Sequence, residues 1–129
     1  NVRVVPYLSP IRDAYAASDV AFVRGGMMGT SELCAWGLPM VICPLPTAAN
    51  DHQTANAVAL EQAGAAVHLP QRELNATRLD LILRGLLHDP ARLTALSAGA
   101  LARARPHAAD EIAQHILRRL EVPVRPPTR

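Results

Sequence analysis

The sequence contains no lysine, since all thirteen of its basic residues are arginine. This absence excludes Schiff-base chemistry and a Walker-type phosphate loop, because both require a lysine. Apolar runs are also short, far below the roughly 18 residues of a membrane-spanning helix. Aromatic residues are scarce, which argues against a surface that stacks single-stranded nucleic-acid bases. The four aromatic residues are Tyr7, Tyr15, Phe22 and Trp36.

Cysteine is equally rare, and neither Cys34 nor Cys43 belongs to a CxxC pair. Both lie in apolar runs, which predicts two buried thiols and no zinc site. The composition is otherwise that of a globular domain, with 50% hydrophobic and 19% charged residues in 129. Net charge is +2, too weak for a nucleic-acid-binding stripe. The chain has no initiator Met and no visible signal peptide, so we expect it to be part of something longer.

Short apolar runs alternate with helical patterns through the first half of the chain. We predict strands near residues 2–8, 19–24, 39–43 and 65–69, and helices at 11–18, 30–36 and 51–63. Such alternation predicts an α/β fold, a Rossmann-like parallel sheet with helices on both faces. Four strands are few for a doubly wound domain, so we expect the sheet to be incomplete.

The second half of the sequence is helical. Apolar residues recur every three or four positions through 79–87 and 112–120, and Asp89-Pro90 predicts a helix start between them. Three prolines after Glu121 predict an extended tail. We therefore divide the chain into a partial domain at 1–122 and a flexible tail at 123–129.

A glycine-containing loop is predicted at residues 24–29, between a strand and a helix. In parallel sheets, ligands bind outside the carboxyl ends of the strands. Glycines allow a close backbone approach, and a helix N-terminus favours a phosphate. An ordinary turn would also explain the glycines. Glu32 is predicted in the first helical turn, where it would either accept hydrogen bonds from a ribose or stabilise the helix dipole.

A second polar cluster occupies the loop and helix start at residues 44–56. Its Asp51, His52, Gln53 and Asn56 are candidates for gripping sugar hydroxyls, and helix capping by Asn50 or Asp51 is the alternative. Asp51 and His52 are adjacent in a helix and therefore do not face each other as a catalytic pair. No spacing predicts a metal site or a nucleophile elbow, so we assign no catalytic residue and no metal ligand.

Taken together, these loops resemble a known family. Residues 14–66 carry an aspartate-led strand ending in Arg, a glycine loop closing on Ser-Glu, GLP and PLP turns, and DHQ followed by NA. This stretch is similar to the C-terminal domain of the MurG-type UDP-N-acetylglucosamine transferases, within glycosyltransferase family 28. The resemblance implies the C-terminal, donor-binding half of a GT-B glycosyltransferase.

The resemblance also implies contacts with the donor, UDP-N-acetylglucosamine. Leu8 would lie against the uracil, Glu32 would bind the ribose, and the glycine loop would approach the α-phosphate and sugar. The sugar would face the second cluster. The implied binding residues are Leu8, Gly26, Met27, Met28, Gly29, Thr30, Ser31, Glu32, His52, Gln53 and Asn56. Here the chain departs from the family, which has small residues and then Thr where Met27, Met28 and Gly29 stand.

For the longer protein, the resemblance implies an inverting hexosyltransferase of peptidoglycan synthesis. It would move N-acetylglucosamine to undecaprenyl-pyrophosphoryl-muramyl-pentapeptide, without a metal or other cofactor, at the inner face of the cell membrane. An N-terminal domain would bind this acceptor, so we expect the chain alone to be inactive. Two alternatives stay open: another GT-B glycosyltransferase with a different acceptor, and a non-catalytic donor-binding subunit.

Overall fold

The structure, a computed structural model, describes residues 2–120. The chain begins with α1 (Ile11–Ala16), followed by β1 (Ala21–Val23), α2 (Met27–Ala35), β2 (Met40–Ile42), α3 (His52–Gln62) and β3 (Ala66–His68). Three further helices come next: α4 (Ala76–Leu87), α5 (Pro90–Arg103) and α6 (Ala108–Arg119). Single 3-10 turns lie at Ala49–Asp51 and Gln71–Glu73.

The three strands form one parallel sheet in the order β1-β2-β3. Met40 is in register with Ala21 on one side and with Ala66 on the other. All three residues of β2 are fully buried, which is typical of a central strand covered on both faces. The predicted α/β class with a parallel sheet is therefore confirmed.

Two apolar clusters cover the two faces of the sheet. Met40 and Ile42 pack in a cluster with residues of α2, α3 and the end of α5. Val41 points to the opposite face, where it packs with Leu86 of α4 and Leu96 of α5. The predicted helices on both faces are thus present. Cys34 and Cys43 are buried and free, as predicted from their apolar surroundings.

The predicted strand at residues 2–8 is wrong. These residues form no strand in the structure, and Val2 and Val4 are 93% and 90% exposed. A strand is stable only beside a partner, and Pro6 lacks the N–H needed to continue a ladder. All residues of this segment except Val5 are exposed. An apolar composition without burial does not make a strand.

Glycines end both α2 and α3. Gly37 and Gly64 have φ values of 62° and 66°, the left-handed conformation that closes a helix. Gly99 of α5 packs directly on the second of these turns, because an added Cβ would overlap the carbonyl oxygen of Gly64. At the start of α5, the Asp89 side chain accepts from the Arg92 N–H and Pro90 opens the helix.

The final helix, α6, has no buried residue in the described structure. Its apolar face carries Ile112, Ile116 and Leu120, each more than half exposed. The predicted periodicity is therefore present, but the face is not covered by residues 2–120. The predicted domain end at 122 and the tail at 123–129 lie outside the described residues.

Candidate functional site

The two predicted loops meet at the carboxyl edge of the sheet. The Asn56 side chain of α3 donates a hydrogen bond from Nδ2 to the carbonyl oxygen of Gly25, at 2.9 Å. Gly25 is buried, and an added Cβ would overlap the carbonyl oxygen of Gln53. Glycine at position 25 is therefore required by the contact between the loop after β1 and the first turn of α3.

Arg24 joins the ends of the strands at this same edge. Its Nη1 lies 2.6 Å from Oε1 of Gln71, 3.1 Å from the carbonyl oxygen of Cys43 and 3.4 Å from that of Pro44. The guanidinium thus ties β1 to the residues that follow β2 and β3. Sequence reasoning missed this role of Arg24 and Gln71, although a charged residue placed directly after a predicted strand was a usable indication.

The glycine loop is shorter than predicted, because α2 begins at Met27 and not at Thr30. Gly26 is the N-cap residue with extended backbone, and the Thr30 N–H already donates to the Gly26 carbonyl at 3.1 Å. Gly29 lies inside the first turn. A single glycine costs a helix only about 1 kcal/mol, which the favourable propensity of two methionines and the buried face of α2 outweigh.

This earlier start changes what the loop offers to a ligand. The N–H groups of Met27, Met28 and Gly29 lie in the first helical turn, where they have no intrahelical partner. The Thr30 hydroxyl is buried and lies 2.9 Å and 3.1 Å from the carbonyls of Gly26 and Met27. Its hydrogen bonds are therefore internal to the helix. The donors that α2 can present to an anion are the main-chain N–H groups of its first turn and the exposed Ser31 hydroxyl.

Glu32 lies in the second turn of α2, so its predicted first-turn position is wrong. The error follows from the misplaced helix start. The Tyr15 hydroxyl donates to Oε2 of Glu32 at 2.9 Å, and the Tyr15 ring packs against Trp36 at 6.1 Å between centroids. Burial, the hydrogen bond to Glu32 and the charge of Glu32 together raise the pKa of Tyr15. The carboxylate is thus oriented by α1.

The start of α3 is held by its own side chains. Asn50 and Asp51 both have a φ of 52°, a left-handed conformation that Asn and Asp tolerate better than other residues. The Asp51 side chain makes no capping hydrogen bond. Oε1 of Gln53 instead accepts from the Leu45 N–H at 3.0 Å. Nδ1 of His52 lies 2.6 Å from the carbonyl of Ala49, so this nitrogen carries the proton and Nε2 is free to accept.

Most predicted site residues are brought to this edge. Met27, Thr30, Ser31 and Asn56 line one cavity between α2 and α3. Leu8 lies apart, in an open groove formed by residues 3–8 and Ile11. Within residues 2–120, no group of His, Cys, Asp and Glu is placed to hold a metal ion. The described helices include none that is long and apolar enough to cross a membrane.

Comparison with known sequences shows which proteins this chain is similar to. The profile of the glycosyltransferase family 28 C-terminal domain matches residues 1–114. A relative from Methylococcus capsulatus is 45% identical over 114 residues, and one from Salinibacter ruber is 44% identical over 117. Both are named UDP-N-acetylglucosamine–N-acetylmuramyl-(pentapeptide) pyrophosphoryl-undecaprenol N-acetylglucosamine transferase. The matches cover 88% and 91% of this chain but 32% and 31% of the relatives, so the chain spans about a third of their length.

Solved structures give a consistent comparison. MurG from Acinetobacter baumannii superposes with a TM-score of 0.81 at 30% identity, covering 90% of this chain and 33% of that one. The glycotransferase of kitacinnamycin superposes with a TM-score of 0.59 at 30% identity, covering 81% of this chain and 27% of that one. The similarity in both cases extends well beyond the two loops.

Proposed function

Because this chain belongs to the family of glycosyltransferase family 28 C-terminal domains, we propose that it binds the sugar-nucleotide donor of a longer glycosyltransferase. The donor that best fits is UDP-N-acetylglucosamine, which the names of the similar proteins from Methylococcus capsulatus and Salinibacter ruber include. The structural observation that carries the proposal is the contact between the starts of α2 and α3 at the carboxyl edge of the sheet. Asn56 and Gly25 hold the start of α2 and the start of α3 together outside the carboxyl ends of the strands.

Each part of this edge has a role that its chemistry suits. The free N–H groups of Met27, Met28 and Gly29 would bind the diphosphate, since a helix N-terminus concentrates donors and positive potential. These contacts use the main chain, so they tolerate methionine where the family has small residues. Glu32 would accept hydrogen bonds from the ribose hydroxyls, held in place by the Tyr15 hydroxyl on its second oxygen.

The sugar would lie toward the start of α3. His52 can offer Nε2 as an acceptor, because its Nδ1 is committed to Ala49. Gln53 keeps its amide N–H groups for a hydroxyl, since its Oε1 is bound to Leu45. Leu8, which is half exposed in the groove of residues 3–8 and Ile11, would contact the uracil.

For the longer protein, we propose an inverting transfer of N-acetylglucosamine to undecaprenyl-pyrophosphoryl-muramyl-pentapeptide in peptidoglycan synthesis. The acceptor hydroxyl would attack the anomeric carbon as the bond to UDP breaks. The acceptor and its base would come from the part of the relatives that this chain does not match, placing the protein at the inner face of the cell membrane. No described residue is assigned as the base, so the chain alone would transfer nothing.

A second candidate is a glycosyltransferase with another acceptor. The likeness to the glycotransferase of kitacinnamycin is the observation that favours it. That superposition is poorer, with a TM-score of 0.59 against 0.81 for MurG. A non-catalytic donor-binding subunit is the remaining alternative, and it shares the donor contacts but not the transfer reaction.

A chimera tests the proposal directly. Residues 1–114 would replace the matching third of the Methylococcus capsulatus relative, and transfer of radiolabelled sugar to the lipid-linked muramyl-pentapeptide would be measured. We expect the chimera to be active and the isolated chain to be inactive. A folded chimera that binds UDP-N-acetylglucosamine but transfers nothing would favour the non-catalytic subunit. A folded chimera that does not bind this donor would contradict the proposal.

The ribose contact gives a sharper measurement in the same chimera. Glu32→Ala removes a charged acceptor, so UDP binding should weaken by about 1.5–3 kcal/mol, as measured by calorimetry. Glu73→Ala is a matched control, because Glu73 lies in the 3-10 turn after β3 and its exposed carboxylate pairs with the neighbouring Arg72. Unchanged UDP affinity in Glu32→Ala would show that this carboxylate serves Tyr15 alone.

A further inference from the structure

A cavity of about 350 Å³ lies between α2, α3 and the connection from α5 to α6. Its volume is at the lower end of the range for small-molecule sites. Four residues of the predicted donor set contribute to its lining: Met27, Thr30, Ser31 and Asn56. Arg103, Arg105 and Ala108, from the connection between α5 and α6, line it as well. The cavity therefore extends from the predicted donor edge to a region that no sequence argument singled out.

Much of the lining of this cavity is apolar. Cys34, Ala35, Ala59 and Leu60 line it, and Cys34 is only 3% exposed. Two of the three uncharged polar side chains in the lining are engaged, because the Thr30 hydroxyl bonds within α2 and Nδ2 of Asn56 donates to Gly25. The third, Ser31, is exposed. A ligand body placed here would meet methyl, methylene and thiol groups, which favour hydrocarbon over a hydrated sugar.

The lining also includes two arginines, Arg103 and Arg105. No carboxylate of residues 2–120 lies within ion-pair distance of Arg103 or Arg105. The positive charge of Arg103 reaches the apolar wall: burial raises the pKa of the Cys34 thiol, and Arg103 acts in the opposite direction. A guanidinium beside an apolar cavity is suited to the carboxylate or phosphate head of a ligand.

We propose that this cavity binds a small organic anion with a compact apolar body, its head on Arg103 and its body between α2 and α3. The charge and the apolar wall act together, so neither a simple ion nor a neutral hydrocarbon would bind as well. The inference rests on the cavity and not on donor binding. It nevertheless places a second ligand against α2, whose first turn we assign to the diphosphate.

Methyl NMR titrations of the chain with octanoate and with hexyl phosphate test the proposal. We expect saturable shifts of the Ala35 and Ala59 methyl groups, while the methyl groups of Leu86, on the opposite face, stay unchanged. Octanol and acetate, the body and the head alone, should each bind about ten-fold more weakly or worse. A stronger response to one of the two anions would identify the preferred head group.

Three variants of the chain locate the binding groups. Arg103→Gln should weaken octanoate binding about ten-fold, and Ala59→Leu should abolish it by filling the cavity. Arg92→Gln is the matched control, because Arg92 lies on the same helix and does not line the cavity. Equal binding of octanol and octanoate, or unchanged binding in Arg103→Gln, would overturn the proposal.

A competition experiment separates this site from the donor site. UDP added to the octanoate complex should leave the Ala59 shift in place. Displacement of octanoate by UDP would show that the cavity is part of the nucleotide site and would overturn the proposal of a separate one. Octanoate binding to the chain, together with a folded chimera that does not bind UDP-N-acetylglucosamine, would instead count against the proposed function alone.

Discussion

Two helix starts meet at the carboxyl edge of the sheet, and they are built in opposite ways. α2 begins regularly after Gly26, and the hydrogen bonds of its buried Thr30 hydroxyl stay within the helix. α3 begins after two left-handed residues, and its side chains bind neighbouring backbone through His52, Gln53 and Asn56. The two predicted clusters therefore have different tasks. α2 keeps donors available for a ligand. α3 instead uses His52 and Gln53 to hold the loop that precedes it, and Asn56 to hold Gly25.

The backbone contact at Gly25 should contribute most to holding the two helix starts together. Gly25→Ala should lower the free energy of unfolding by about 3 kcal/mol, because the new Cβ overlaps the Gln53 carbonyl and the start of α3 must move. Urea denaturation of the isolated chain measures this.

Gly29→Ala is the matched control, since nothing lies within 4 Å of its added Cβ. It should stabilise the chain by about 0.5–1 kcal/mol. Equal stability of the two variants would show that the starts of α2 and α3 are not in contact.

The hydrogen bond from Asn56 should matter less. Asn56→Ala leaves the carbonyl of the buried Gly25 without this donor, so we expect a loss of about 1–2 kcal/mol in the same denaturation experiment. Asn56→Asp should lose more, because a carboxylate oxygen would then face a carbonyl oxygen. If Asn56→Ala has full stability but weaker sugar-nucleotide binding in the chimera, the Asn56 side chain acts on the ligand and not on Gly25.

Burial explains which parts of this architecture could be predicted from sequence. The strands at Phe22, Val41 and Val67 come from short apolar runs that lie between helices, and all three were found. The run at residues 2–8 is also rich in valine, but it contains Pro6 and has no described strand partner, so its apolar residues alone predicted it wrongly. A strand depends on its neighbour, and that information is not contained in the run itself.

The site shows the same limit at the level of single side chains. The motifs placed the glycine loop and the DHQ segment at one edge, which is where the structure brings them. They could not give the start of α2, since Gly29 looked like a loop residue until the buried face of α2 was known. The bonds of Arg24 to the ends of the other strands also depend on three-dimensional contacts between distant residues.

The smallest expected effect concerns how α1 holds Glu32. Burial, the hydrogen bond and the charge of Glu32 raise the pKa of Tyr15 in the folded chain, whereas the unfolded value is about 10. The neutral phenol is therefore favoured by folding. Its contribution to stability is present below about pH 10 and is lost as pH rises through the folded pKa.

Glu32→Gln removes the charge, so the pKa of Tyr15 should fall but stay above its ordinary value, because burial is the largest cause. The ultraviolet absorbance of the phenolate measures this, with the exposed Tyr7 as the internal control. An unchanged titration of Tyr15 would mean that α1 does not orient the carboxylate, and that a ribose bound there would meet a freely rotating Glu32.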